Sequence, residues 1–239
     1  MTETTKLAIM QPYIFPYIGY FQMIKAVDKF VFYDDVNYIK QGWINRNRIL
    51  NNNSDFLFVV PIEKISSFTL INETKIKQNL YQNWVQKFLK TIQLNYRKAP
   101  YFESVFELIQ PILNQDKKTI SELAILSITE ISKFLNIKTE IIISSEKYKN
   151  SGLERQARLI DICKQENASH YINAIGGQEL YKKEDFAKEG IQLDFIRPLP
   201  IEYSQFHHKF VPWLSIIDVL MFNSKEEVKE LLNQFELIK

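Results

Sequence analysis

Cysteine is nearly missing from this sequence. Cys163 stands alone among 239 residues, so no disulfide can form within the chain, and the composition suits a reducing compartment. Its surroundings, RLIDICKQENA, carry apolar residues at Leu159, Ile160, Ile162 and Cys163 that read as one side of a helix, and the thiol is expected to be buried. Histidine is scarce as well. His170 precedes an apolar run and His207 adjoins His208, but no His-x-x-x-His spacing or second cysteine completes a structural zinc site. Three familiar motifs are missing: Gly-x-Ser-x-Gly, the Walker loop and Gly-x-Gly-x-x-Gly. Their absence argues against a serine hydrolase, a P-loop NTPase and a standard dinucleotide enzyme. No stretch approaches the roughly 18 apolar residues of a membrane span, and MTETTKLAIM does not read as a signal peptide. Neither sign of charge dominates: 30 Lys and Arg against 28 Asp and Glu leave a net +2, which demands neither nucleic acid nor an anionic membrane as partner. These absences describe a cytoplasmic protein, and they indicate no particular cofactor or oligomeric state.

Apolar residues, 46% of the chain, suffice for a sizeable core. KLAIM reads as a buried strand, GYFQMIKAV as a helix with Phe21, Ile24 and Val27 at helical spacing, and DKFVFYDDV as a second strand. The unit predicts a parallel pair in one sheet. NYIKQGWINRNRILNNNS reads as a polar and aromatic loop. DFLFVVPIE and TLINETKI follow as strand candidates, and helices are expected over 79–95, 102–114 and 119–135, the last capped by Thr119 with Glu122. TEIIISSE, SHYINA and QLDFIRPLP read as further strands. SGLERQARLIDICKQENA, KKEDFAKEGI, SIIDVLMF and SKEEVKELLNQF read as helices. The alternation predicts a single α/β domain over 1–239 with a mainly parallel, Rossmann-like sheet flanked by helices, related in outline to nucleotidyltransferase folds. Residues 79–135 form a helical insertion or subdomain within it.

In an open parallel sheet, ligands bind beyond the carboxyl ends of the strands. Five segments fall there: QPYIFPYIGY, DDVNYIKQGWINRNR, SSEKYKNSG, NAIGGQELY and RPLPIEYSQFHHKF. The first, QPYIFPYIGY, supplies Gln11, Tyr13, Tyr17, Gly19 and Tyr20: two prolines stiffen it, tyrosines can stack on a base or sugar, and it feeds a helix N-terminus suited to phosphate. Tyr17-x-Gly-Tyr20 sits where nucleotidylyl-transfer enzymes carry His-x-Gly-His, though without the histidines. Asp34 and Asp35 close the second strand and are the candidate catalytic carboxylates, able to take a proton, bind a metal or accept from a sugar hydroxyl. Trp43, Asn45, Arg46, Asn47 and Arg48 make a cluster in which Arg46 foremost, and also Arg48, would hold phosphate bidentately. Asn173, Gly176, Gly177 and Tyr181 surround a Gly-Gly turn. Ser215, three residues before Asp218, is either the cap of an apolar helix or an anion site facing the opening loop.

Several of these stretches resemble the WbqC-like proteins: MQPYIFPYIGYFQMI, DKFVFYDDVNYIKQGWINRNRI, VPIEK, NYRKAP, IIISS, YINAIGGQELY and the ending FVPWLSIIDVLMFN, in order along nearly the whole chain. That family is bacterial and is often encoded among genes for O-antigen and other surface polysaccharides. The resemblance implies an enzyme that modifies sugars, for example by acyl or aminoacyl transfer, and it supplies no catalytic residue. Together with the residues, it points to a transferase acting on a phosphorylated or nucleotide-linked sugar. The alternatives are a nucleotidylyltransferase-like enzyme that uses a nucleotide directly and a non-catalytic binding protein of the same pathway.

Overall fold

Residues 6–10 are apolar enough to be covered on both sides, and they form the centre of the molecule. The computed structural model describes residues 4–206 and 209–239, so His207 and His208 lie outside the described residues. β1 (Lys6–Met10) leads through α1 (Ile18–Ala26) to β2 (Lys29–Phe32), and the two strands pair in parallel with Ala8 opposite Phe30. A hairpin follows, β3 (Arg46–Asn51) and β4 (Ser54–Val59), then three helices, α2 (Gln78–Tyr96), α3 (Phe102–Leu113) and α4 (Ile120–Phe134). The chain returns to the sheet with β5 (Glu140–Ile142), α5 (Arg155–Gln165), β6 (His170–Ala174), α6 (Lys183–Lys188) and β7 (Gln192–Pro198). It closes with α7 (Ile216–Phe222), α8 (Lys225–Leu231) and β8 (Phe235–Ile238).

The main sheet has the order β5-β2-β1-β6-β7-β8, parallel except for β8, which runs antiparallel along β7. The chain moves outward from β1 to β2 and β5, then crosses to the other side of β1 for β6 and β7. The reversal between β1 and β6 is a topological switch point, where crevices form in such sheets. Alternation along β1 divides the core. Ala8 faces a large cluster with residues of α1, α2, α3, α4, α7 and α8, whereas Leu7 and Ile9 face a smaller one with Leu159, Ile162, Cys163 and Phe186 of α5 and α6. The expected α/β architecture with helices on both faces is therefore present, and the apolar faces of α2–α4 join the core of the first face.

Three details differ from the reading of the sequence. RNRILN is a strand, not part of a loop. Its inward positions include Asn47, a polar residue that conceals the alternation. TLINETKI is not a strand: it folds on itself, Thr74 Oγ1 donating to the Leu70 carbonyl at 2.8 Å, and makes only isolated bridges. The tail of the last expected helix turns into β8. The Thr119–Glu122 capping box is present, as is a second one joining Ser224 and Glu227.

Candidate functional site

The opening loop is held by side chains from three directions. Prolines 12 and 16 have no N–H to satisfy. Ile14 N–H donates to the Ile44 carbonyl (3.0 Å), Phe15 N–H to Ser127 Oγ of α4 (3.2 Å), and Tyr17 N–H to the Tyr13 hydroxyl (3.2 Å). The Phe15 carbonyl accepts from Asn47 Nδ2 at 2.6 Å and from Ser215 Oγ at 2.7 Å. Phe15 is fully buried with a φ of 43°, a left-handed conformation that a bulky side chain adopts only when its surroundings over-determine it. The aromatic and proline content thus builds a rigid platform at the carboxyl end of β1.

Beside this platform lies a cavity of roughly 530 Å³. Gln11, Tyr13 and Tyr17 line one side, Trp43, Asn47 and Arg48 another, and Trp213 completes the rim. Trp43 is stacked with both arginines: the guanidinium centres of Arg48 and Arg46 lie 5.1 and 5.6 Å from its ring. Arg48 also reaches Asp55 across the hairpin at 3.2 Å, yet its Nε is buried without a hydrogen-bond partner among the described residues. That nitrogen is sealed from solvent, so the other N–H groups of the guanidinium are the ones the wall can offer to an acceptor. Burial pushes the Tyr13 and Tyr17 hydroxyls above their usual range, so both stay neutral and able to donate.

Other predicted residues support the platform without lining the cavity. Tyr20 donates its hydroxyl to the Gln11 carbonyl at 3.0 Å. A Cβ on Gly19 would collide with the Tyr17 ring, so glycine there lets that ring fold back over the start of α1. Asn45 accepts from the Tyr38 hydroxyl (2.6 Å) and donates to the Val60 carbonyl (2.9 Å). Arg46 turns its guanidinium onto the Gln41 and Gly42 carbonyls, the Nε bond to Gly42 measuring 2.8 Å, and so braces the turn before β3. Asn173 lies near the carboxyl end of β6, and Gly176, Gly177 and Tyr181 follow that strand, at the same end of the sheet but outside this cavity wall. Asn173 Oδ1 accepts from the Ala174 N–H at 2.8 Å, and Gly177 leaves room for the Asn173 side chain.

Ser215 meets the opening loop, as one reading of the sequence required, but it is fully buried and serves as a cap. Its Oγ accepts from Ile217 N–H (3.2 Å) while donating to Phe15, and Ile216 N–H donates to the Pro16 carbonyl (2.7 Å). The loop's own carbonyls fill the start of α7, so the anion reading is not supported. Asp218 does not complete a capping box. Fully buried, it accepts from Tyr203 (2.6 Å), Tyr96 (2.7 Å) and Gln205 (2.6 Å), and desolvation outweighs these bonds to push its pKa up to about 6.

The paired aspartates are turned into the protein. Asp34 accepts from Ser144 Oγ (2.6 Å), Ser121 Oγ (3.1 Å) and Ser145 N–H (3.3 Å), and burial raises its pKa against the pull of those bonds. Asp35 is engaged by Ser145 Oγ and ion-paired with Arg158 of α5, itself buried, whose Nε donates to Asn150 Oδ1 at 2.8 Å. Every carboxylate oxygen of the pair has a protein donor, so the geometry gives both residues a bracing role between β2, β5, α4 and α5. Among the described residues, no three His, Cys, Asp or Glu side chains are grouped to hold a metal ion. Trp213 and Ile39 are cavity residues that the sequence reading passed over. For Trp213 the available signal was an exposed-type aromatic beside Pro212, just before an apolar helix.

Fold and site together define a Rossmann-like α/β protein with an aromatic, arginine-bearing cavity beyond the carboxyl end of β1. The chain belongs to the WbqC-like protein family, whose profile matches residues 11–230. It is also similar to Uncharacterized protein Rv1507c of Mycobacterium tuberculosis (strain ATCC 25618 / H37Rv), with 29% identity over 231 residues that cover 95% of this chain and 97% of the relative. No solved structure matches the chain significantly. Among the described residues, no helix is long and apolar enough to cross a membrane.

Proposed function

We propose that the protein is a cytoplasmic bacterial transferase that modifies a phosphorylated or nucleotide-linked sugar for surface polysaccharide of the O-antigen type, by acyl or aminoacyl transfer. The observation that carries this reading is the Arg48 guanidinium at the cavity wall, 5.1 Å from the centre of the Trp43 ring. A planar cation beside aromatic rings suits a phosphate carried next to a base or sugar ring. Gln11 and Asn47 add polar groups to the same cavity, although Asn47 spends its amide on the opening loop. Asp34 and Asp35 hold the adjacent elements in place in this reading, and Arg46 sets the turn that presents Trp43.

The family setting supports a role among sugar-modifying enzymes. A thermal-shift panel tests the reading. Nucleotide-linked sugars such as UDP-glucose should stabilise the protein without magnesium, and Arg48→Ala should remove the effect. Stabilisation by ATP with magnesium alone would favour a nucleotidylyltransferase instead. Binding without turnover, in the presence of acyl and aminoacyl donors, would favour a carrier protein of the same pathway.

A further inference from the structure

A second cavity, roughly 410 Å³, adjoins the first beneath the segment that follows β7. Tyr17 and Trp213 belong to the walls of both, their ring centres 6.1 Å apart. The two cavities differ in chemistry. Pro198, Pro200 and Pro212 contribute no N–H donors, and the Leu199 N–H is already bonded to the Gln234 carbonyl at 3.0 Å. Leu214 and Val219 are buried lining residues, and the Tyr203 hydroxyl is taken by Asp218 at 2.6 Å. Among the described residues, Glu202 is the one charged lining residue; it is exposed and would repel an anion. Trp213 stands between the two spaces with a backbone φ of 62° and 64% of its side chain exposed, a strained placement for a bulky residue.

We propose that this second cavity binds a hydrocarbon group, the apolar part of an amphiphilic substrate whose phosphorylated head occupies the cavity at Arg48. The placement of the head rests on the function proposed above; the apolar character of the second cavity does not. The side chains that line it are mainly Pro, Leu, Ile, Val and aromatic residues, and such a wall gains from burying methylenes. The continuity through Tyr17 and Trp213 makes one ligand spanning both spaces the economical occupant.

Isothermal titration with n-butyl, n-hexyl and n-octyl phosphate tests the proposal. In the wild-type protein the Kd should fall by about fourfold per added methylene until the cavity is filled. Leu199→Trp and Ile201→Trp, at partly exposed wall positions, should flatten this series while UDP-glucose binding is unchanged. Arg48→Ala should weaken every member of the series equally and leave its slope intact. A flat series in the wild type, or a slope that survives both tryptophan variants, would overturn the proposal. A persisting slope with no effect of Arg48→Ala would uphold the apolar site and overturn the placement of the head.

Discussion

Two groups of residues at the same end of the sheet looked equally chemical in the sequence, and the fold treats them in opposite ways. After β2, Asp34 and Asp35 are buried and saturated by Ser121, Ser144, Ser145 and Arg158. After β1, the aromatic loop and the β3 hairpin leave open a cavity of roughly 530 Å³ with Arg48 on its wall. A carboxylate whose oxygens are all engaged by the protein is held as structure. An arginine on the wall of a void keeps N–H groups beyond the one bonded to Asp55 that can meet a ligand. Acidic residues at a strand end are therefore a weaker guide here than the prolines and tyrosines, whose cost in local strain has a visible purpose.

The largest expected effect breaks the saturated side. Arg158→Met would leave the Asp35 carboxylate buried without its cation, and urea unfolding should show a loss of about 3–5 kcal/mol. The next effect is one of pH. Asp218 titrates near 6 when folded and near 3.9 when unfolded, so the folded state holds its proton more tightly. Its contribution to stability is complete below about pH 4 and is lost as pH rises to about 6, a change of roughly 3 kcal/mol. Glu166 acts in the opposite sense. Burial raises its pKa, but Lys147, Lys29 and Tyr148 outweigh burial and bring it to about 2, so its contribution is lost as pH falls below about 4. Denaturant titrations at pH 5 and 7 should show the Asp218 slope, and Asp218→Asn should flatten it.

Smaller effects sharpen the contrast from the cavity side. Asn47→Ala removes the donor shared by the Ile14 and Phe15 carbonyls and should cost about 1–3 kcal/mol in stability, with weaker sugar-nucleotide binding because the platform loosens. Arg46→Ala should change stability by about 1 kcal/mol or less and leave affinity within a few-fold, since its guanidinium serves a turn. Parallel unfolding and titration curves for the two variants separate a loop-holding residue from a turn-holding one.

Much of the sheet was legible because its strands obey simple rules. KLAIM and KFVF are continuous apolar runs that must be covered on both faces, and α4 and α8 announce themselves by capping boxes. β3 was not legible because Asn47, an inward residue, satisfies carbonyls of a loop more than thirty residues away. No local pattern records such a bond. The same limitation hid the roles of the aspartates: Asp35 looks free in sequence, and its partner Arg158 lies 123 positions onward. The composition of the opening loop pointed to a rigid segment, and the structure shows it braced and bordering a cavity. Arg46 folds its guanidinium back onto the Gln41 and Gly42 carbonyls while Arg48 borders the cavity, a difference that the sequence alternation, which puts both on one face, does not record.

The central claim is that ligand binds at the open aromatic side and that the acidic side is structural. Calorimetric titration of the most stabilising nucleotide-linked sugar into wild-type, Arg48→Ala and Asp34→Asn proteins tests it directly. Arg48→Ala should weaken binding tenfold or more, the scale of about 1.5–3 kcal/mol for a charge-assisted bond, while Asp34→Asn leaves the Kd within about twofold. Full affinity in Arg48→Ala together with lost binding in a folded Asp34→Asn protein would contradict the account.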